Sequence, residues 1–178
     1  MGKTLKKNVA ESASDRALVA NREVVAGSLT AVSGWVTSEV RHQRCVCSGV
    51  VRSAKSRNLA YPMLLDIMQD GIFAVATFPS PVRQSAYGEV CQMLNRLNYR
   101  ARYGKFVLND TTGEVKFRVF RSSDDVCCHQ QESMSLLTSL PAQMLDRVVG
   151  DIDKFVEGHS SPSLPSAKTS VAKRSRKR

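Results

Sequence analysis

The sequence lacks the short signatures of common enzyme classes and any long apolar run. Its 178 residues contain no P-loop, no glycine-rich dinucleotide loop and no nucleophile elbow. No apolar stretch approaches the roughly 20 residues that are needed to cross a bilayer. The first residues are basic but have no apolar run behind them, so we do not expect a secretory signal. These absences predict a cytoplasmic protein without a membrane span and without enzymatic activity.

The five cysteines lack the spacing of a common metal site. Cys45 and Cys47 are separated by one residue, and Cys127 and Cys128 are adjacent and followed by His129. Structural zinc sites usually have two to four residues between paired cysteines. An odd number of cysteines without a secretory signal is typical of reduced thiols. We therefore predict buried or incidental thiols, no metal site and no cofactor.

Acidic residues are absent from the last 20 positions, residues 159–178, although the whole chain carries a net charge of +10. This Ser/Pro-rich stretch is predicted to be a disordered tail. Its basic cluster could bind nucleic acid or another anion, or could only increase solubility. The cluster consists of Lys173, Arg174, Arg176, Lys177 and Arg178. With Lys168 the tail supplies +6, so the rest of the chain is only mildly basic.

The first part of the chain combines a polar arm with a stretch of helical periodicity. Residues 1–20 are small, polar and charged, which predicts a disordered arm. From Arg22 to Val40, apolar residues recur at three- and four-residue spacing and predict a helix. Val46–Val51 predicts a short strand. The folded domain is therefore expected over residues 21–158.

Residues 61–78 predict a β-hairpin around Asp70-Gly71, a dipeptide that favours two-residue turns. Pairing outward from this turn gives one apolar face, which should lie on the core. That face comprises Met63, Leu65, Ile67, Ile72, Ala74, Ala76 and Phe78. Pro62 cannot donate a backbone hydrogen bond, so it predicts a strand start or an exposed strand edge.

A central helix is predicted after this hairpin. Ser80 is a suitable N-cap and Pro81 suits the first helical position. An apolar stripe from Val82 to Leu97 continues the pattern, and Asn98 ends it. Residues 122–133 predict a loop or a short edge element, and a final helix is expected from Leu140 to Gly158.

Between these helices, Asp110–Gly113 predicts the four-residue loop of a second hairpin. Pairing outward from the loop places Lys105 opposite Arg118. It also gives a clean inner face of Gly104, Phe106, Leu108, Val115, Phe117 and Val119. Two antiparallel hairpins and several helices together predict an α+β fold, with helices packed on the sheet.

The stretch LNRLNYRARYGKFVLNDTTGEVKFRV, after a strand reading IFAVATF, resembles the bacterial YbjN family of proposed sensory-transduction regulators. The matching positions are Leu94, Asn95, Asn98, Gly104, Phe106, Leu108, Gly113, Glu114 and Val115. The resemblance implies a fold similar to that of type III secretion chaperones. It also implies a chaperone-like, protein-binding module that is often a dimer, and it brings no established reaction. The arm, the cysteine segments and the basic tail depart from the family.

The outer side of the second hairpin is the candidate partner-binding surface. Like charges directly across a strand pair repel each other mildly, so their presence there favours an anionic partner. The candidate residues are Arg102, Tyr103, Lys105, Lys116, Arg118 and Phe120. We expect a non-enzymatic regulatory module that binds a protein or peptide segment and pairs with itself. The alternatives are a nucleic-acid-binding accessory protein that uses this face and the tail, and a merely solvated sheet face.

Overall fold

The described residues form runs of antiparallel strands separated by helices, which confirms the predicted α+β class. The computed structural model describes residues 13–29, 36–40 and 44–156. In chain order the elements are α1 (Ala13–Leu29), β1 (Val36–Val40), β2 (Arg44–Arg52), β3 (Ala60–Ile67), β4 (Gly71–Thr77), α2 (Tyr87–Arg100), β5 (Lys105–Leu108), β6 (Val115–Ser122), α3 (Ser123–Cys128) and α4 (Gln130–Ile152). The 3-10 turns Gln84–Ala86 and Asp153–Phe155 precede α2 and follow α4.

Within the described residues, six strands form one sheet in the order β1-β2-β3-β4-β6-β5. Every neighbouring pair is antiparallel. After β4 the chain passes through α2 to the edge strand β5 and returns through β6, which lies between β4 and β5. The edges of this sheet are therefore β1 and β5.

One face of the sheet, which we call the inner face, carries the hydrophobic core. Alternate strand residues point to the same side of a sheet, and those on the inner face are buried under α1, α2 and α4. The largest fully buried side chains include Tyr61, Leu65, Ile72, Phe117, Leu137 and Leu145. Burying one large apolar side chain completely contributes about 1.5–3 kcal/mol, so this face accounts for much of the stability.

The first hairpin has the predicted faces, but its turn lies one residue earlier than expected. The Met68 N–H donates to the Gly71 carbonyl over 2.9 Å, so the two-residue loop is Gln69-Asp70. This change shifts each cross-strand partner by two positions, which leaves every side chain on its predicted face. All members of the predicted apolar face are buried.

Close packing against β6 explains why Gly71 belongs to the strand and not to the loop. A Cβ atom at this position would lie 2.2 Å from the Arg121 carbonyl oxygen. Glycine lets the two backbones approach, and Gly71 pairs with Ser122 at the start of the β4–β6 ladder.

The second hairpin has the predicted register, with Phe106 opposite Phe117 and Leu108 opposite Val115. In its loop, the Asn109 side-chain oxygen accepts from the Thr111 N–H over 3.0 Å. This local bond stabilises the turn. Because the loop chemistry sets the register, the predicted faces are also confirmed for residues 105–108 and 115–120.

The predicted helix over residues 22–40 is wrong in its second half. The helix α1 begins earlier, at Ala13, and ends at Leu29, while Val36–Val40 is the strand β1. Valines four residues apart also fit a strand, and β-branched residues favour strands where a neighbour such as β2 is present.

Part of the predicted disordered arm is also helical. Residues 13–20 belong to α1, because Leu18, Asn21, Val25 and Leu29 lie on one buried side of the helix. The polar Asn21 interrupts this apolar stripe and hides it in the sequence. Residues 1–12 of the arm and the predicted tail lie outside the described residues.

The central helix begins at Tyr87, seven residues after the predicted cap Ser80. The Val82 N–H donates to the Gly113 carbonyl over 2.9 Å, and Val82 forms an isolated bridge with Val156. These contacts with two distant segments hold Pro81 and its neighbours outside the helix. The apolar stripe nevertheless faces the core, since Val90 and Leu94 are buried.

The loop predicted over residues 122–133 is helical, and the final helix starts at Gln130 instead of Leu140. The Ser122 side chain caps α3 by accepting from the Asp125 N–H over 3.2 Å. Val126 and Ser133 are buried. A serine in a core position and Pro141 within the helix conceal the periodicity of this segment.

Candidate partner-binding surface

The outer face of the sheet exposes apolar side chains from several strands. Val50 on β2, Leu64 on β3 and Phe120 on β6 are 60%, 37% and 41% exposed. Leu64 pairs with Val75, and Val75 pairs with Arg118, so the apolar residues lead directly to the basic hairpin. Asp66, which pairs with Phe73 on the same face, is by contrast buried. A contiguous apolar patch on a sheet face is typical of an interaction site.

Two cations lie at the β5–β6 end of this outer face. Lys105 is directly opposite Arg118, as the sequence predicts, and both side chains are exposed. No described acid forms an ion pair with either residue. The Arg118 guanidinium carbon lies 5.2 Å from the centre of the Phe73 ring. Phe73 in turn contacts Phe120, with their ring centres 4.6 Å apart.

Lys116 lies on the same face, but its charge is already balanced. Its ammonium group lies 2.8 Å from a carboxylate oxygen of Glu114. This contact, followed by a hydrogen bond from Thr112, lowers the pKa of Glu114 below its usual value. Lys116 is therefore less available to an anionic partner than Lys105 or Arg118.

The remaining two candidate residues, Arg102 and Tyr103, lie elsewhere. Both line a cavity on the helical side of the sheet, between α2, β5 and α4. The Arg102 guanidinium carbon is 5.4 Å from the centre of the Tyr103 ring. Gly104, with a φ of 72°, separates them from the strand. Tyr103 consequently does not lie on the outer face, and the candidate residues divide between two surfaces.

The basic cluster Lys173, Arg174, Arg176, Lys177 and Arg178 lies outside the described residues. The cysteines do not form disulfides with one another; Cys45 and Cys47 are buried, whereas Cys91, Cys127 and Cys128 are exposed. The described residues contain no group of His, Cys, Asp and Glu side chains that could hold a metal ion.

Asn98 occupies the outer edge of β5. Its amide nitrogen donates to the Phe106 carbonyl over 2.9 Å, and its oxygen accepts from the Phe106 N–H over 2.6 Å. The Asn98 side chain thus forms hydrogen bonds with both the N–H and the carbonyl of Phe106 that point away from β6, as the backbone of a neighbouring strand would. Sheets often protect their edges in such ways, which prevents pairing with other chains.

The predicted strand edge near Pro62 is not an edge of the sheet. Pro62 pairs with Val50, and β3 lies between β2 and β4. Pairing with β4 begins only at Met63, so the missing N–H of proline interrupts no bond of that ladder.

A buried carboxylate, which the sequence analysis missed, ties α4 to the segment after β2. Asp146 accepts hydrogen bonds from the Ser53 hydroxyl at 2.5 Å, the Tyr61 hydroxyl at 2.7 Å and the Ala54 N–H at 2.9 Å. Burial alone would raise the pKa of Asp146, but these bonds outweigh it and lower that pKa. Burial, aided by the nearby carboxylate, raises the pKa of the Tyr61 phenol. The signal in the sequence is that Asp146 is the one acid within the mostly apolar residues 144–149.

Comparison with known families matches residues 21–130 to YbjN, described as "Putative bacterial sensory transduction regulator". This match covers more than half of the chain. The protein therefore belongs to the YbjN family, and the predicted resemblance is confirmed. No curated protein and no solved structure matched the chain, so the likeness to type III secretion chaperones stays a prediction. None of the described helices is long and apolar enough to span a membrane.

Proposed function

We propose that this YbjN-family protein is a non-enzymatic regulatory module that binds an acidic segment of a partner protein on its outer sheet face. The observation that supports this proposal is the juxtaposition of exposed apolar side chains with Lys105 and Arg118, for which the described residues offer no acidic partner. An apolar centre provides affinity, whereas the cations at its end select the charge of the partner.

The exposed apolar residues favour a protein partner over a purely electrostatic one. Leu64 and Phe120 are already more than half covered, so burying what remains of each contributes roughly 1 kcal/mol. The more exposed Val50 would add a similar amount. Such contributions need apolar groups on the partner. An amphipathic acidic segment offers both apolar groups and the complementary charge.

The charge of the face argues against two other occupants. A second copy docked through the β5–β6 end would bring Lys105 and Arg118 close to their own equivalents. The basic tail, residues 159–178, contains no acid and would also be repelled. We therefore expect self-pairing to use another surface, and light scattering of the purified chain measures its oligomeric state.

Nucleic-acid binding is the second candidate, and the Phe73–Phe120 pair beside Arg118 favours it. Aromatic rings next to cations can stack on unpaired bases. Arg118 however stands over the Phe73 ring, and the neighbouring Leu64 and Val50 offer no stacking surface. We therefore rank this function below protein binding.

The test is affinity capture with the full-length chain and the double variant Lys105→Glu/Arg118→Glu. Arg96→Glu, an exposed change on α2, is the control. We expect the wild type and the control to retain the same acidic protein in moderate salt, and the double variant to lose it. A second variant, Leu64→Ser/Phe120→Ser, should lose it as well. Equal retention by all variants would refute the proposed surface.

The same variants separate the second candidate. If labelled single-stranded RNA or DNA is the true ligand, its affinity should fall steeply with salt, with a slope of about −0.7 per phosphate contacted. It should also depend on Lys105 and Arg118 but only weakly on Leu64.

A further inference from the structure

The cavity between α2, β5 and α4 has the features of a small-molecule site. Its volume is about 320 Å³, near the lower end of the range for ligand pockets. Apolar side chains from three elements form its walls: Leu97, Phe106, Leu140, Met144 and Val148. Phe106 and Val148 are buried, so the interior of the cavity is a continuation of the hydrophobic core.

Three arginines line the same cavity, and no acid does. They are Arg100 at the end of α2, Arg102 before β5 and Arg147 on α4. No described carboxylate forms an ion pair with any of them. Among the described residues, Arg147 donates only to the Met144 sulfur at 3.6 Å, and Arg102 lies against the Tyr103 ring. Guanidinium groups beside an apolar cavity are suited to an anionic head group with an apolar body.

We propose that this cavity binds a single-chain acyl carboxylate, with the chain among the apolar walls and the carboxylate among the three arginines. The volume suits one chain and not a two-chain lipid. A peptide strand would need backbone partners, but the adjacent edge of β5 has both outward groups of Phe106 occupied by Asn98. A ligand that makes no backbone hydrogen bonds fits this site better. The proposal is independent of the partner-binding surface on the other side of the sheet.

The test is calorimetric titration of the full-length chain with dodecanoate below its aggregation concentration. We expect one molecule to bind per chain. Decanoate should bind more weakly by up to about fourfold per missing methylene, because each buried methylene contributes to affinity. Dodecanol, which lacks the charge, should lose at least about tenfold.

Variants locate the binding site. Arg100→Gln/Arg147→Gln should weaken dodecanoate by at least about tenfold, whereas the exposed control Arg96→Gln should not change it. Met144→Gln should weaken binding by placing an amide in the apolar wall. The proposal is overturned if no heat is measured, or if the arginine double variant binds as well as the wild type. The latter result would indicate adsorption to the basic tail. Loss of binding only in Phe120→Ser would also overturn it, by placing the ligand on the outer face.

Discussion

Replacing Asp146 with alanine should be among the most damaging single changes to this protein. The carboxylate is only 5% exposed and accepts three hydrogen bonds, two from side chains and one from the Ala54 N–H. Alanine would leave the buried Tyr61 hydroxyl and the Ala54 N–H without this acceptor. It would also release the segment after β2 from α4.

The magnitude follows from the balance of two effects. Hydrogen bonds to a charged group are each worth about 1.5–3 kcal/mol, so three of them exceed about 4 kcal/mol. Removing the carboxylate also removes the cost of burying its charge, which offsets part of this loss. We therefore expect Asp146→Ala to lower the free energy of unfolding by about 3 kcal/mol. Tyr61→Phe removes one donor and should cost about half as much.

Urea unfolding at neutral pH, followed by far-UV circular dichroism, measures these differences. The matched control is Asp151→Ala on the same helix. Asp151 pairs with Lys154 at 2.8 Å, but both side chains are more than half exposed. Its removal should change stability by less than about 0.5 kcal/mol. A loss below about 1 kcal/mol for Asp146→Ala would contradict the reasoning.

The same network predicts the pH dependence of stability. The folded-state pKa of Asp146 is lowered, so the stability that it contributes is present above its unfolded pKa and is lost as the pH falls through the folded value. The pKa of Tyr61 is raised, so its contribution is complete below its unfolded value of about 10 and is lost at higher pH. Asp146→Asn should flatten the acid limb of the stability profile, and Tyr61→Phe should flatten the alkaline limb. Unchanged profiles would contradict these assignments.

Three further predictions concern β5, its glycine and the cysteines. Asn98→Ala should speed hydrogen exchange of the Phe106 amide and promote association through the uncovered edge of β5. The control Asn95→Ala, at an exposed position of α2, should do neither, and equal exchange in both variants would contradict the protection of this edge by Asn98. Gly104→Ala should cost more than about 2 kcal/mol in urea unfolding, because its φ is 72° and the added Cβ would lie 2.4 Å from the Arg118 carbonyl oxygen; Gly88→Ala, with open space around it in α2, should be neutral or stabilising. Alkylation of the native protein should label Cys91, Cys127 and Cys128 quickly but Cys45 and Cys47 only after unfolding, and fast labelling of all five would contradict the packing of β2.

Both hairpins could be predicted from the sequence because their turns are local. Two local features fix the loop from Asp110 to Gly113. The side-chain oxygen of the preceding Asn109 accepts a hydrogen bond from the Thr111 N–H, and Gly113 has a φ of 73°. A two-residue period then assigns every side chain to a face. The turn of the first hairpin is Gln69-Asp70 and not Asp70-Gly71, but the predicted faces are still correct. Each cross-strand partner moves by two positions, which keeps every side chain on the same side of the sheet.

The helix boundaries could not be predicted because distant contacts set them. The N-cap chemistry of Ser80 is overridden when Val82 bonds Gly113 and bridges Val156. Likewise, α3 buries Val126, and the first turns of α4 bury the polar Ser133 beside Met134 and Leu137. Ser133 donates to the Asp125 carbonyl over 3.0 Å and accepts from Arg121 over 3.3 Å. A polar residue whose hydrogen bonds are satisfied in this way can occupy a core position, so it interrupts the apolar period of the sequence.

The division of the candidate site into two surfaces has a single local cause. Strict alternation would place Tyr103, Lys105 and Val107 on one face. Gly104 adopts a left-handed conformation just before β5, so the chain turns and Arg102 and Tyr103 go to the helical side. Lys105 and Arg118 stay on the outer face. Predicting faces from strict alternation fails wherever one residue leaves the extended backbone conformation. A glycine at the start of a strand is the sequence signal of such a break. The four-residue strand β5 therefore separates two basic surfaces, one open to a protein segment and the other lined for a smaller anion.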